Sequence, residues 1–81
     1  MVEIVASARR HGVSDDDIRH AVDNAVGGVR ADDPVGFVMW VGPDQAGNLL
    51  EVGVVEDDEI EYVIHAMPVR PRYLELLGKD D

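Results

Sequence analysis

The sequence predicts a small α+β domain in which one main helix, at about residues 14–26, packs on an antiparallel sheet of three or four strands. Three observations indicate this class. A chain of 81 residues has room for a single hydrophobic core. Apolar residues at helical spacing lie in its first third, and three β-rich segments separated by turn formers follow. Residues 1–81 are therefore expected to form one domain, which ends in a short carboxyl-terminal helix.

Two short features precede the main helix. Residues 2–6, VEIVA, are rich in β-branched side chains and predict either a strand or an extended lead-in. Residues 7–11, SARRH, predict a single helical turn, because Gly12 follows directly and breaks it.

The main helix is predicted from its start signal and its apolar face. Ser14 is a favoured N-cap residue, and residues 15–17 are three aspartates in the first turn, where negative charge interacts favourably with the helix dipole. Apolar side chains then recur every three or four positions, as on one buried helix face. These side chains are Ile18, Ala21, Val22, Ala25 and Val26. The pair Gly27–Gly28 is expected to end the helix.

Three strands are predicted after a connector at residues 29–34, VRADDP. They span residues 35–42, 49–55 and 59–67, and the turn formers between them indicate an antiparallel meander. Strict alternation divides the third strand into two faces. One face carries Ile60, Tyr62, Ile64 and Ala66, and the other carries Glu61, Val63, His65 and Met67. Pro68 and Pro71 stop the strand, and a short helix, RYLELLG, is expected before the acidic tail KDD.

The composition excludes several classes of site. There is no cysteine, so disulfides and thiolate sites are absent. No apolar run approaches the roughly 20 residues of a membrane span, and residues 1–10 lack a signal-peptide pattern. We therefore expect a cytoplasmic protein without a membrane partner. The chain also lacks a glycine-rich phosphate loop and the common hydrolase motifs, and no metal or cofactor is predicted.

The charges are unevenly distributed along the chain. Seventeen acidic and seven basic residues give a net charge of -10, which opposes general attraction to nucleic acid. Two segments, residues 4–14 and 62–74, contain no acidic residue. They hold Arg9, Arg10, His11, His65, Arg70 and Arg72. If the two segments meet, they form a positive patch suited to one or two phosphates, beside Tyr73. Alternatively, these arginines only neutralise carboxylates elsewhere.

Three other polar features each admit a functional and a structural interpretation. Asp16 and His20, four positions apart on the helix, suit a pair of metal ligands or an exposed ion pair. The acidic run at residues 56–61 suits a hard cation or a solvated hairpin turn. Glu51 interrupts an apolar strand, so it either faces solvent on the open side of the sheet or is held by a base.

The order of these segments resembles a known family. RRHGVSDDDIRHAV, then VGPDQAGNLLEVGVV, then IEYVIHAMPVRPRY is similar to the BrnT-type toxins of bacterial toxin–antitoxin modules, which belong to the RelE/ParE-like fold group. The resemblance covers about residues 8–73. It implies a single RelE/BrnT-like domain with metal-independent endoribonuclease activity on RNA. It also implies neutralisation by a cognate antitoxin of ribbon-helix-helix type.

By position, Arg10 matches the family's basic residue before His-Gly, Arg70 and Arg72 match its basic tail, and His65 stands where the family has a serine. The resemblance and the positive patch together give the site candidates. Arg10, His65, Arg70 and Tyr73 are the catalytic candidates, and Arg9, Arg72 and His11 are expected to bind RNA phosphates. In such chemistry a base takes the proton of a ribose 2′-hydroxyl, cations stabilise the phosphorane, and an acid protonates the leaving 5′-oxygen. Histidine as a residue type suits the acid or base role near neutral pH.

The sequence departs from the family at three places, and two alternatives remain. The family's amino-terminal Trp-Asp-x-x-Lys element is absent, Met67 replaces an arginine, and acidic residues 32–33 replace a basic one. The first alternative is a catalytically silent interaction domain of the same fold that binds a protein partner. The second is a small regulator that binds an anionic ligand. Apolar residues on both faces of the third strand also suggest that a partner or a second copy of the chain covers one face.

Overall fold

The computed structural model describes residues 2–31 and 34–77 and has an α+β fold. Asp32 and Asp33 of the predicted connector and the predicted acidic tail, residues 79–81, lie outside the described residues. The strands are β1 (Val2–Ile4), β2 (Gly27–Ala31), β3 (Phe37–Pro43), β4 (Leu49–Asp57) and β5 (Ile60–Pro68). The helices are a 3-10 helix (Ala6–Arg9), α1 (Asp15–Asp23) and α2 (Pro71–Leu77). In the described ranges, no helix has the length and apolar character needed to cross a membrane.

The sheet is larger than predicted and is mixed. Its five strands lie in the order β1-β5-β4-β3-β2, with β1 parallel to β5 and every other pair antiparallel. The predicted meander is confirmed as β3, β4 and β5. The expected antiparallel sheet of three or four strands is only partly matched, because two short edge strands are added and one of them is parallel to its neighbour. One comes from the amino-terminal lead-in and the other from the segment predicted to end the helix and begin the connector.

Helix α1 begins where the sequence predicts and ends three residues early. The backbone N–H of Asp17 donates to Ser14 Oγ over 3.1 Å, which confirms the predicted N-cap. The helix ends at Asp23 instead of Val26. The Val26 N–H donates to the Val41 carbonyl over 2.7 Å, so the chain already joins the sheet at this residue. Gly27 and its neighbour therefore open β2 instead of ending the helix.

The main core lies between α1 and one face of the sheet. Its buried members are Ile4, Ala8, Ile18, Ala21, Leu50, Val52, Val54, Val63 and Ala66. Helix and sheet approach most closely at Gly42, where a Cβ atom would collide with the backbone carbonyl of Ala21. Only a residue without a side chain allows this packing distance.

A β-bulge in β5 changes the predicted face pattern. Gly53 pairs with His65, but Val54 pairs with Val63, so Ile64 is an extra residue in β5. Val63 and Ala66 therefore both belong to the core beneath α1, and the predicted alternation, which separated them, is wrong. His65 and the residues after it keep their own register with β4, so His65 projects from the face opposite α1.

Replacing Gly42 with alanine tests the close approach of α1. The added Cβ would meet the Ala21 carbonyl and, at 3.0 Å, the Cα of Ala25, and neither can yield unless the helix shifts. We expect Gly42→Ala to lower the free energy of unfolding by about 1–3 kcal/mol in urea denaturation. Gly27→Ala is the matched control, because its Cβ would press only on the flexible Leu77 side chain. A loss for Gly42→Ala no larger than for this control would contradict the close approach.

Candidate functional site

Several polar side chains gather on the sheet face opposite α1, where β5 ends and α2 begins. We call this group the Glu51 cluster, and its members are His11, Glu51, His65, Arg70, Arg72 and Tyr73. After β5, the N–H of Val69 donates to the Leu49 carbonyl over 3.1 Å, which brings the following residue back over β4. Pro71 then starts α2, since its missing N–H costs nothing in the first helical turn.

Glu51 is the buried centre of the cluster. Its side chain has no solvent exposure, and five hydrogen bonds converge on its two carboxylate oxygens. The backbone N–H of Arg70 donates over 2.8 Å and its Nη2 over 2.7 Å, while Nε lies 3.1 Å from both oxygens. His65 Nε2 lies 2.8 Å from Oε2. A base therefore holds Glu51, and the solvent-facing alternative is wrong.

These contacts fix the charge of the Glu51 carboxyl. Burial raises the pKa of Glu51. Hydrogen bonds from the side chain and backbone of Arg70 and from His65 lower it by more than burial raises it, so the pKa lies below the usual value. The same contact raises the pKa of Arg70, through the hydrogen bond to Glu51 despite partial desolvation. The pair is thus an ionised carboxylate and a guanidinium at neutral pH.

His11 reaches the cluster from the amino-terminal segment. Its ring meets the His65 ring edge-on, with centroids 5.8 Å apart and planes at 75°. Two bonds hold this segment along β5: the Val5 N–H donates to the Val63 carbonyl over 3.1 Å, and Ser7 Oγ donates to the Ile64 carbonyl over 2.7 Å. The two segments that lack acidic residues therefore meet in the fold, as their composition suggested.

Tyr73 carries the exposed end of the cluster. The guanidinium carbon of Arg70 lies 5.5 Å from the centroid of the Tyr73 ring, and that of Arg72 lies 5.1 Å away. Arg72 also donates from Nη2 to the Tyr73 hydroxyl over 3.4 Å. The distances from the two guanidinium carbons to the ring centroid fall in the range of cation–π attraction, which favours the position of both arginines beside the ring.

The predicted site residues differ in whether their charge remains available. His11, His65, Arg70, Arg72 and Tyr73 are brought together, but the Arg70 charge is bound by Glu51. Arg9 points instead to Asp15, with two bonds of 2.9 Å that lower the pKa of that carboxyl. Arg10 is exposed and ends the 3-10 helix next to His11. Within residues 2–31 and 34–77, Arg10 and Arg72 form no ion pair with a carboxylate.

The other candidate ligands have structural roles. His20 Nδ1 lies 2.8 Å from the Pro43 carbonyl, so this ring ties α1 to the end of β3 instead of facing Asp16. The acidic run forms the hairpin between β4 and β5, in which Asp58 and Glu59 adopt positive φ angles of 55° and 72°. Among the residues described, no three histidine or carboxylate side chains lie close enough to share a metal ion.

The sequence allowed Glu51 to be held by a base but assigned it no role in the site. The signal was present, because an acidic residue in the middle of an apolar strand must either find a partner or face water. The identity of that partner was not visible, since Arg70 lies 19 positions away and returns only through the turn after β5. The described part of the chain forms no pocket around the cluster, so a ligand would meet an open surface.

Fold and site together define an α+β domain with a carboxylate-anchored histidine and arginine cluster on an open surface. Comparison of the chain with protein-family models, with curated proteins and with solved structures finds no match. The function must therefore be inferred from the geometry of the cluster and from the order of the sequence motifs.

Acid is expected to remove the stabilisation that the Glu51 carboxylate provides. The pKa of Glu51 is lower in the folded chain than in the unfolded chain, where it is about 4.3. The stabilisation is therefore complete at a pH above the pKa of the unfolded chain, and it is lost as the pH falls through the pKa of the folded chain. In urea unfolding at about pH 7, Glu51→Gln should be less stable than the wild type by about 2 kcal/mol. This difference should shrink towards about pH 3.

The comparison with Glu51→Gln isolates one carboxyl from the others. Asp15 and Asp17 also have lowered pKa values, through hydrogen bonds from Arg9 and Gln45 respectively, but both are present in each protein and cancel in the difference. A difference between the two proteins that did not change with pH would contradict an ionised Glu51.

Proposed function

We propose that this chain is the toxin component of a bacterial type II toxin–antitoxin module, a cytoplasmic, metal-independent endoribonuclease neutralised by a cognate antitoxin. The observation that carries the proposal is the pair of imidazole rings, His11 and His65, with centroids 5.8 Å apart on an open surface. Cleavage of RNA without a metal needs a proton acceptor and a proton donor near one phosphate, and two histidines supply both. The resemblance of the motif order to BrnT-type toxins supports the same reading.

Arg10, which precedes His11 in the chain, and Arg72 of the Glu51 cluster supply cations for a phosphodiester. Arg72 and Arg10 carry charges that no carboxylate of residues 2–31 and 34–77 neutralises, and both belong to the acid-free segments. They are the side chains that would stabilise the negative charge of the phosphorane. Tyr73 adds an aromatic face on which a base of the RNA can stack.

The same cluster in an acidic protein predicts weak and local RNA binding. A net charge of -10 repels a polyanion at long range, and few phosphates can be neutralised at this surface. Recognition would then depend on the few groups in contact with the strand, and a partner such as the ribosome or an RNA end could supply the remaining affinity.

A catalytically silent interaction domain of the same fold is the second candidate. Two of the arginines are already engaged, Arg9 by Asp15 and Arg70 by Glu51, and this engagement favours the alternative. In that case the Glu51 cluster fastens α2 to the sheet, and the remaining cations at its edge receive an acidic segment of a protein partner.

Nuclease assays with the purified protein in a metal chelator separate the two candidates. We expect the wild type to cleave single-stranded RNA, and His65→Ala and His11→Ala each to lower the rate by about 10²–10⁴-fold. His20→Ala is the matched control, because the ring of this histidine is hydrogen-bonded to the Pro43 carbonyl at the end of β3 and is not part of the Glu51 cluster, and it should retain activity.

The contrary outcomes are distinct. Cleavage that survives both cluster substitutions would reject the two histidines as the site. A folded wild type that leaves RNA intact, yet co-purifies with the product of a neighbouring gene, would reject the nuclease and establish the interaction domain.

A further inference from the structure

The bond between Glu51 and His65 has a definite direction. An ionised carboxylate only accepts hydrogen bonds, and Arg70 has only donors to offer it. The 2.8 Å contact between His65 Nε2 and Glu51 Oε2 therefore requires the proton to be on Nε2. The neutral His65 ring must then carry its lone pair on Nδ1.

The opposite nitrogen of the ring is placed for chemistry. His65 Nδ1 has no hydrogen-bond partner among residues 2–31 and 34–77, and the side chain is one quarter exposed, at 25%. His11 lies against the edge of the same ring. The lone pair on His65 Nδ1 is thus available to accept a proton.

The backbone opposite His65 also makes room for the Cβ of this residue. Its strand partner on β4 is Gly53, and a Cβ there would lie 3.2 Å from the His65 Cβ and 2.9 Å from Cε1 of Phe37. The β-bulge at Ile64 sets which face His65 occupies. The carboxylate of Glu51 therefore orients the ring, and Gly53 leaves room for the His65 Cβ beside Phe37.

We propose that Glu51 is a positioning residue that holds His65 as the Nε2–H tautomer, so that Nδ1 is the proton acceptor in the RNA cleavage proposed above. The inference rests on that proposed function. The 2′-hydroxyl proton passes to His65 Nδ1 as the O2′–P bond forms. The P–O5′ bond breaks as His11, in its protonated form, transfers a proton to the leaving 5′-oxygen.

A purely structural role explains the buried acid less well. The neighbours of Glu51 along β4 are Leu50 and Val52, so a β-branched residue at position 51 would continue an apolar strand without any desolvation cost. Arg70 could then remain in solvent, where its side chain is already 41% exposed. Such a strand would lose the acceptor of the Arg70 backbone N–H, which a turn could replace with water, and with it the fixed orientation of His65.

The tautomer can be measured directly by long-range 1H–15N correlation spectra of the histidine rings above about pH 8, where imidazoles are neutral. In the wild type we expect His65 as Nε2–H. His20 provides the internal control, because its Nδ1 donates to the Pro43 carbonyl and it should therefore show the Nδ1–H pattern. The two histidines are thus expected to give opposite patterns in one sample.

Glu51→Gln should invert the His65 pattern. The single acceptor oxygen of glutamine is needed by the N–H groups of Arg70, so its NH2 group faces His65 and Nε2 becomes an acceptor. We expect the Nδ1–H tautomer of His65, an unchanged His20, and a fall in kcat of about 10³-fold or more with little change in KM. Glu51→Asp keeps a carboxylate and should recover part of kcat.

Each result decides a different point. His65 as Nδ1–H in the wild type, or inversion in Glu51→Gln without loss of kcat, would overturn the positioning role, and the first of these needs no variant to fold. The expected wild-type tautomer combined with no RNA cleavage would instead overturn the proposed function and the use of Nδ1 in it. The tautomer is read without RNA, so the two failures are distinguishable.

Discussion

The fully buried carboxylate of Glu51 is the constraint on which this surface of the protein depends. Removing a charged group from water costs several kcal/mol unless each oxygen gains partners, and here Arg70 and His65 together supply five bonds. These partners come from β5 and from the turn before α2. A single side chain on β4 therefore ties the end of β5 to the turn before α2.

The bulge in β5 connects this constraint to the amino-terminal segment. With an extra residue at Ile64, β5 buries Val63 and Ala66 beneath α1 and still directs His65 to the other face. The Ile64 carbonyl, freed from regular pairing with β4, accepts the bond from Ser7. One irregularity thus orients a ring towards Glu51 and provides the attachment that brings His11 beside it.

Local signals predicted the parts of the fold that local chemistry determines. The Ser14 cap, the three-stranded meander and the short helix after Pro71 follow from residues close together in sequence. The helix end, the edge strand β2 and the bulge were missed because each depends on a distant partner, and β1 was predicted only as one of two alternatives, a strand or an extended lead-in. Gly27 follows an otherwise helical pattern, and only the bond from Val26 to Val41 shows that a strand begins there.

The site was predictable to a similar degree. Composition identified the two acid-free segments and made the positive patch conditional on their meeting, which the contact of His11 with His65 fulfils. It could not show which arginines are paired with carboxylates. Arg9 and Arg70 were both expected to face phosphate, and each instead has a carboxylate of its own. For a polyanionic ligand the remaining Arg10 and Arg72 give little attraction, while the acidic surface elsewhere repels it. Under the proposed function, discrimination between RNA strands would come from groups held in fixed positions, as Glu51 holds His65, more than from overall charge.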